Sequence, residues 1–140
     1  MCGFAGFINN DKISNPERII KEMSETILSR GPDDYGSWND TNKDIFLCFR
    51  RLSILDLSEH GHQPMLSKSN RYIILFNGEI YNHNNLRDEI NNAVTGIKWR
   101  GNSDTETLLA SIEIYGLTET LKKCIGMFAI ALYDNQSQKL

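Results

Sequence analysis

The sequence predicts an α+β fold. Two kinds of observation carry this. Strand-length runs rich in β-branched and aromatic residues lie at 2–9, 45–55, 72–77 and 126–133. Two helix starts, Ser14-Asn15-Pro16-Glu17 and Ser103-Asp104-Thr105-Glu106, each precede apolar residues at helical spacing. At 140 residues the chain suits one domain with one core and is long enough to bury roughly two-thirds of its unfolded surface.

The first strand, residues 2–9, alternates loosely and carries Gly3 and Gly6, positions that suit close approach of another group to the backbone. The first helix has Pro16 in its first turn, Glu17 as a capping-box acid, and Ile19, Ile20, Met23, Ile27 and Leu28 at helical spacing. It stops at Arg30-Gly31-Pro32-Asp33-Asp34, because glycine terminates helices and proline cannot continue them, and a loop follows. Residues 45–55 and 72–77 are strands, separated by a polar segment from Leu57 to Asn70. That segment is long for a simple turn and is expected to line a site.

The second capping box opens a helix with Leu108, Leu109 and Ile112 on one face and Gly116 just beyond its end, with Asp104 in its first turn. GMFAIALY at 126–133 forms another strand, and Asp134-Asn135-Gln136 the turn of a hairpin whose return strand begins at Lys139. A chain that halts just inside a returning strand leaves an edge unpaired. The 140 residues are therefore expected to be a truncated domain.

Charge and composition exclude several classes. Fifteen basic residues against eighteen acidic ones give a net charge of −3, and the basic ones cluster no further than pairs such as Arg50-Arg51 and Lys122-Lys123. That is a poor footprint for nucleic acid. No apolar run approaches the ~20 residues needed to span a bilayer, and the start MCGFAGFINNDK lacks a basic leader followed by a long apolar stretch. A cytoplasmic protein without membrane attachment is expected. Three widely spaced cysteines suit reduced thiols, with Cys48 and Cys124 as buried packing. No GxxxxGK phosphate loop occurs.

Cys2 has a chemistry the others lack. Once Met1 is removed, its residue carries both a thiol and a free α-amine, groups that titrate near ~8.5 and ~7.7–8.0 in unperturbed form. The amine can accept the thiol proton, directly or through water, so one residue supplies nucleophile and base. An acylated nitrogen is an amide and cannot do this.

The segments MCGFAGF, RGPDDYG, RRLSILDL, GHQPM, FNGEIYNH, SDTETLL and GMFAIALYD, in this order, resemble class II glutamine amidotransferase domains, members of the N-terminal nucleophile hydrolases. RLSILDL and FNGEIYNH are similar to the glutamine-hydrolysing asparagine synthetase branch, where other branches carry a threonine- and tryptophan-containing segment in place of RLSI. The resemblance implies a four-layer αββα sandwich of two mainly antiparallel sheets between helical layers. It makes residues 1–140 a partial amidotransferase domain without its downstream synthetase domain.

It also implies a reaction. Cys2 would attack the carboxamide carbon of L-glutamine to give a thioester and ammonia, and water would release glutamate. The oxyanion would be held by the Asn77 side-chain amide and the Gly78 backbone N–H. An Asn-Gly pair commonly makes a hairpin turn, and that geometry is compatible with the role. Arg51 would bind the substrate α-carboxylate through its planar fork and Asp104 the α-ammonium. Leu52, Ser53, Ile54, Leu55 and Glu79 would complete the pocket, and Arg30 and Tyr81 would support it.

No cofactor is expected in this domain, ATP and Mg being needed only by the synthetase domain. His60 and His62, with Asp56 and Glu59, superficially suit zinc, but their surroundings are ordinary for this family's loop and no metal is expected. The expected partners are L-glutamine, the C-terminal synthetase domain and, as one assembly open to it, a second copy in a homodimer. The ammonia would amidate aspartate or a related carboxylate. The alternative is a non-catalytic glutamine-binding or regulatory module of the same fold. An acylase of the superfamily is disfavoured, because Arg51 paired with Asp104 suits an amino-acid substrate.

Overall fold

The structure, a computed structural model, describes residues 2–54 and 56–140. Its elements in chain order are β1 (Gly3–Ile8), α1 (Pro16–Thr26), β2 (Asp34–Asp40), β3 (Ile45–Arg51), β4 (Met65–Leu66), β5 (Tyr72–Ile80), α2 (His83–Ala93), α3 (Asp104–Tyr115), α4 (Leu117–Lys123) and β6 (Gly126–Asp134), with single 3₁₀ turns at Leu28–Arg30 and Glu59–Gly61. The strands form two antiparallel three-stranded sheets, ordered β1-β3-β2 and β4-β5-β6.

The central strands β3 and β5 are apolar on both faces because both faces are covered. Ile45, Leu47 and Phe49 of β3 meet Ile73 and Leu75 of β5 and Tyr133 of β6 between the sheets. Phe46 and Cys48 point the other way, onto Ile20 and Met23 of α1. On the far side of the second sheet, Ile74, Phe76 and Ile80 pack against Leu108, Leu109 and Ile112 of α3. Burial pushes the Cys48 and Cys124 thiols above their ordinary range, which suits inert packing.

Several local expectations change. Ser14 and Glu17 form no capping box: Asn15 is the cap, in the left-handed region at φ 57°, with no side-chain bond. Pro16 does occupy the first turn, where its missing N–H costs nothing. The helix ends at Thr26, before Ile27 and Leu28. At Ser103 half of the box forms. Its hydroxyl accepts the Glu106 N–H at 3.2 Å, but the Glu106 carboxylate reaches past the cap to the N–H groups of Arg100 (2.8 Å) and Gly101 (3.0 Å).

The segment after Arg30 is not all loop. Residues 34–40 form the edge strand β2, whose Tyr35 and Trp38 pack on opposite faces of the first sheet. β3 stops at Arg51 rather than at 55, whereas β5 runs to Ile80 rather than 77. Asn77 and Gly78 therefore lie inside a strand, opposite Ala129 and Phe128, and make no hairpin turn. α2 and α4 are marked by no strong signal. α2 buries only Leu86 and Ile90, one turn apart in a stretch rich in asparagine, which favours caps and turns. After β6 a turn brings Lys139 back to a single bridge with Asp134.

A polar bond joins the two sheets. The buried Tyr133 donates its hydroxyl to Asp40 at 2.5 Å, beside the tilted Trp38–Tyr133 ring pair. The bond, the main cause, holds the Asp40 carboxyl below its ordinary range, and burial with this carboxylate pushes the Tyr133 hydroxyl up to about 12. A depressed carboxylate contributes stability above its unfolded pKa and loses it as pH falls through the folded value. Tyr133→Phe is expected to lower the unfolding free energy by about 1–2 kcal/mol at neutral pH. The deficit should shrink on acidification below the ordinary aspartate pKa, as measured by urea unfolding at the two pH values.

Candidate active site

Cys2 directly precedes β1, whose pairing with β3 sets Gly3 opposite Arg50. That pairing brings the half-buried thiol beside the chain leaving β3. Leu52 N–H donates to Cys2 Sγ at 3.3 Å, and Sγ lies 3.5 Å from the Leu52 carbonyl. Arg30 Nε donates to the Cys2 carbonyl at 3.0 Å, tethering the residue to the 3₁₀ turn that follows α1.

A cavity of about 390 Å³ opens here, and Cys2, Arg51, Leu52, Ile54, Asn77, Gly78, Glu79 and Asp104 all line it. Ser53 is absent from this wall. It faces an adjoining cavity of about 730 Å³ that shares Arg51 but lacks Cys2, Asn77 and Asp104, and its N–H is taken by Asp33 at 2.8 Å. Although larger, that cavity does not bring Cys2, Asn77 and Asp104 together. Leu55 and Met1 lie outside the described residues.

β5 sets the far wall. Its odd-numbered residues Ile73 and Leu75 face the first sheet, and strand alternation puts the Asn77 side chain on that same side, towards Cys2. The main-chain polar groups alternate too. Tyr81, the residue after the strand, sends its N–H to Ile125 at the head of β6, whereas Phe76 and Ile80 send theirs away from β6, to side chains. By this parity the Gly78 N–H also points away from β6, into the open side of the strand.

Gly78 has φ 155°, and a Cβ there would lie 2.2 Å from the Met127 carbonyl oxygen and 2.5 Å from Phe128 Cα. The missing side chain is thus demanded by the close approach of β6.

Arg51 and Asp104 supply opposite charges on one cavity. Arg51 is 8% exposed and Asp104 5%. The Arg51 fork donates to the carbonyls of Ser58, at 2.8 Å, and Asp56. Two of the five N–H groups of a guanidinium are so engaged. Gly61 makes room for the fork, since a Cβ there would lie 2.0 Å from Arg51 Nη2.

Asp104 Oδ2 accepts the Ile80 N–H at 3.0 Å and Oδ1 the Thr105 N–H at 2.9 Å. Burial pushes its carboxyl above the ordinary aspartate range, against the pull of those two N–H groups and of nearby His83. The chain leading to Asp104 is pinned by Arg87, which donates to Thr107 Oγ1 and to the carbonyls of Gly101 and Ser103, and stacks on Trp99 at 4.2 Å.

His60 and His62 take no part in the smaller cavity. His62 Nδ1 pairs with Asp34 Oδ2 at 2.8 Å instead. Tyr81 lies on the cavity rim. Sequence reasoning assigned no chemistry to the wall residues Gln63, Phe76, Thr105 and Phe128. Gln63 lies in the segment GHQPM, but nothing in that segment signals where its carboxamide goes.

The family model for the glutamine amidotransferase domain matches residues 1–140. The chain belongs to this family, as a class II glutamine amidotransferase domain related to the N-terminal domain of asparagine synthetases. It is 39% identical to asparagine synthetase [glutamine-hydrolyzing] 1 of Bacillus subtilis, over 100% of this chain and 22% of that protein. It is 35% identical to a putative asparagine synthetase [glutamine-hydrolyzing] of Mycobacterium bovis, over 100% of this chain and 23% of the relative. A fungal relative, amidase chry2 of Gibberella zeae, is 31% identical, with coverage of 100% and 22%. The chain thus spans between a fifth and a quarter of the length of these curated relatives.

Gly78→Ala is expected to cost about 2–4 kcal/mol, through backbone strain plus collision with β6. The shift in urea midpoint measures it, and a midpoint equal to that of the parent would contradict the close β5–β6 approach.

Proposed function

We propose that this domain hydrolyses the side-chain amide of L-glutamine through a thioester on Cys2, within the four-layer αββα fold of the N-terminal nucleophile hydrolases. The observation that carries the reading is the single cavity on which Cys2, Asn77, Gly78, Arg51 and Asp104 converge. The stacking of α1, the first sheet, the second sheet and α3 supports the fold assignment.

In this reading Met1 is removed and the α-amine of Cys2 takes the thiol proton. Sulfur attacks the carboxamide carbon, and the carbonyl oxygen gains charge beside the Asn77 amide and the Gly78 N–H. Collapse of the tetrahedral adduct breaks the C–N bond, with the proton held by the amine passing to the leaving nitrogen as ammonia departs. Water, deprotonated by the same amine, then adds to the thioester carbonyl; the C–S bond breaks, glutamate leaves, and the amine returns the proton to the departing Cys2 sulfur. Arg51 takes the substrate α-carboxylate with donors not engaged by Asp56 and Ser58, and Asp104 the α-ammonium. Leu52 and Ile54 shape the pocket near the thiol.

The names of the synthetase relatives support a destination for the ammonia. It would pass to an ATP- and Mg-dependent synthetase domain that amidates aspartate or a related carboxylate.

Cys2→Ala should abolish glutamate release from glutamine while glutamine binding stays measurable by calorimetry. Substantial residual turnover would remove Cys2 as the nucleophile. Arg51→Lys should raise KM for glutamine about 10–100-fold with a smaller change in kcat, since a point charge replaces a fork. An unchanged KM in steady-state assays would take Arg51 out of the substrate site.

A further inference from the structure

The edge of β5 that faces β4 runs out of partner strand. β4 pairs Met65 with Ile74 and Leu66 with Ile73, and in that register residue 63 would stand opposite Phe76. The main chain of Gln63 goes elsewhere. Its carbonyl is packed onto β2 at Gly36, where a Cβ would lie 1.9 Å from it.

The Gln63 side chain fills the vacant ladder position. Its Oε1 accepts the Phe76 N–H at 2.6 Å, and its Nε2 donates to the Phe76 carbonyl at 3.2 Å. Both main-chain groups of one β5 residue are thus satisfied, as a neighbouring strand would satisfy them. The same Nε2 lies 3.4 Å from Thr105 Oγ1, and both residues are buried. Phe76 adjoins Asn77 and Thr105 adjoins Asp104, so one carboxamide touches the strand that carries the oxyanion groups and the helix start that carries the carboxylate.

We propose that Gln63 is a positioning residue that sets the height of the Phe76-Asn77-Gly78 main chain relative to Cys2, and so the geometry of the oxyanion site. This rests on the reading of Cys2 and Asn77 given above. A buried Phe76 amide could be satisfied by water, but water would not hold the strand to the ~0.5 Å that transition-state donors require.

Two variants of the purified protein test it. Gln63→Met keeps length and volume while removing both bonds to Phe76. Its kcat for glutamine hydrolysis is expected to fall about 10–100-fold, with KM changed by less than about threefold, the pattern of a transition-state interaction. Affinity for the aldehyde analogue of glutamine should fall in parallel with kcat. That analogue accepts the Cys2 sulfur at its carbonyl carbon and leaves the former carbonyl oxygen in the oxyanion position. A role in stability alone would not single out this adduct.

Gln63→Glu restores one acceptor and one donor only while its carboxyl is protonated, and burial favours that form. Its kcat relative to the parent at the same pH should therefore rise as pH is lowered from about 8 to about 6. A parental kcat in Gln63→Met, a fall in kcat not matched by the aldehyde affinity, or a pH-independent Gln63→Glu ratio would each overturn the proposal.

Hydrogen exchange across residues 72–80 in the same samples separates the role of Gln63 from the chemistry of Cys2. Turnover surviving Cys2→Ala, or none in the parent, refutes the reading of the site. Faster exchange in Gln63→Met supports the Phe76 pairing in either case, and unchanged exchange overturns it.

Discussion

β5 is nine residues long and β4 only two, and the arrangement of the cavity follows from that mismatch. A buried N–H or C=O left without a partner costs about 1–3 kcal/mol, so an unpartnered strand edge inside a protein must be satisfied by something else. Ile74 has β4, Phe76 has the Gln63 carboxamide, and Ile80 has the Asp104 carboxylate. Gly78 lies between them with its N–H directed to the open side. The proposed oxyanion donor thus lies in the row between amides that β4, Gln63 and Asp104 satisfy, and among the described residues no partner takes its N–H; the groups that flank it hold the fold together as well as the site.

The opposite wall is built by the chain leaving β3. Pairing of Gly3 with Arg50 brings Cys2 beside Leu52, and Arg30 holds the Cys2 carbonyl from outside the sheet. Arg51 turns its fork towards the Asp56–Ser58 carbonyls in the space that Gly61 leaves. Its charge therefore has a fixed place before any ligand arrives. Asp104 has one too, at the start of α3, where the helix N-terminus favours a negative charge while burial disfavours it. A buried carboxyl and a buried guanidinium thus share one cavity, and under the proposed reading they would meet the α-ammonium and α-carboxylate of glutamine.

Much of this was legible in the amino-acid order. The apolar runs of β3 and β5, the capped start of α3 and the motifs around Cys2, Arg51, Asn77 and Asp104 can be read directly, because periodicity and local turn chemistry are encoded within a few residues of each other. β2 and α2 were not legible. Their few apolar side chains make sense only beside neighbours distant in the chain: Trp38 against Tyr133, and Leu86 and Ile90 against the body of the domain.

The sequence by itself determined the α+β class, the family and a set of candidate site residues, since these depend on residue type and local spacing. Only the tertiary structure decided that Asn77-Gly78 lies in a strand and not in a turn, that Ser53 looks away from the thiol, and that Gln63 takes the place of a strand. Those outcomes depend on which edges meet in space and which buried polar groups must then be satisfied, and no local pattern of residues records that.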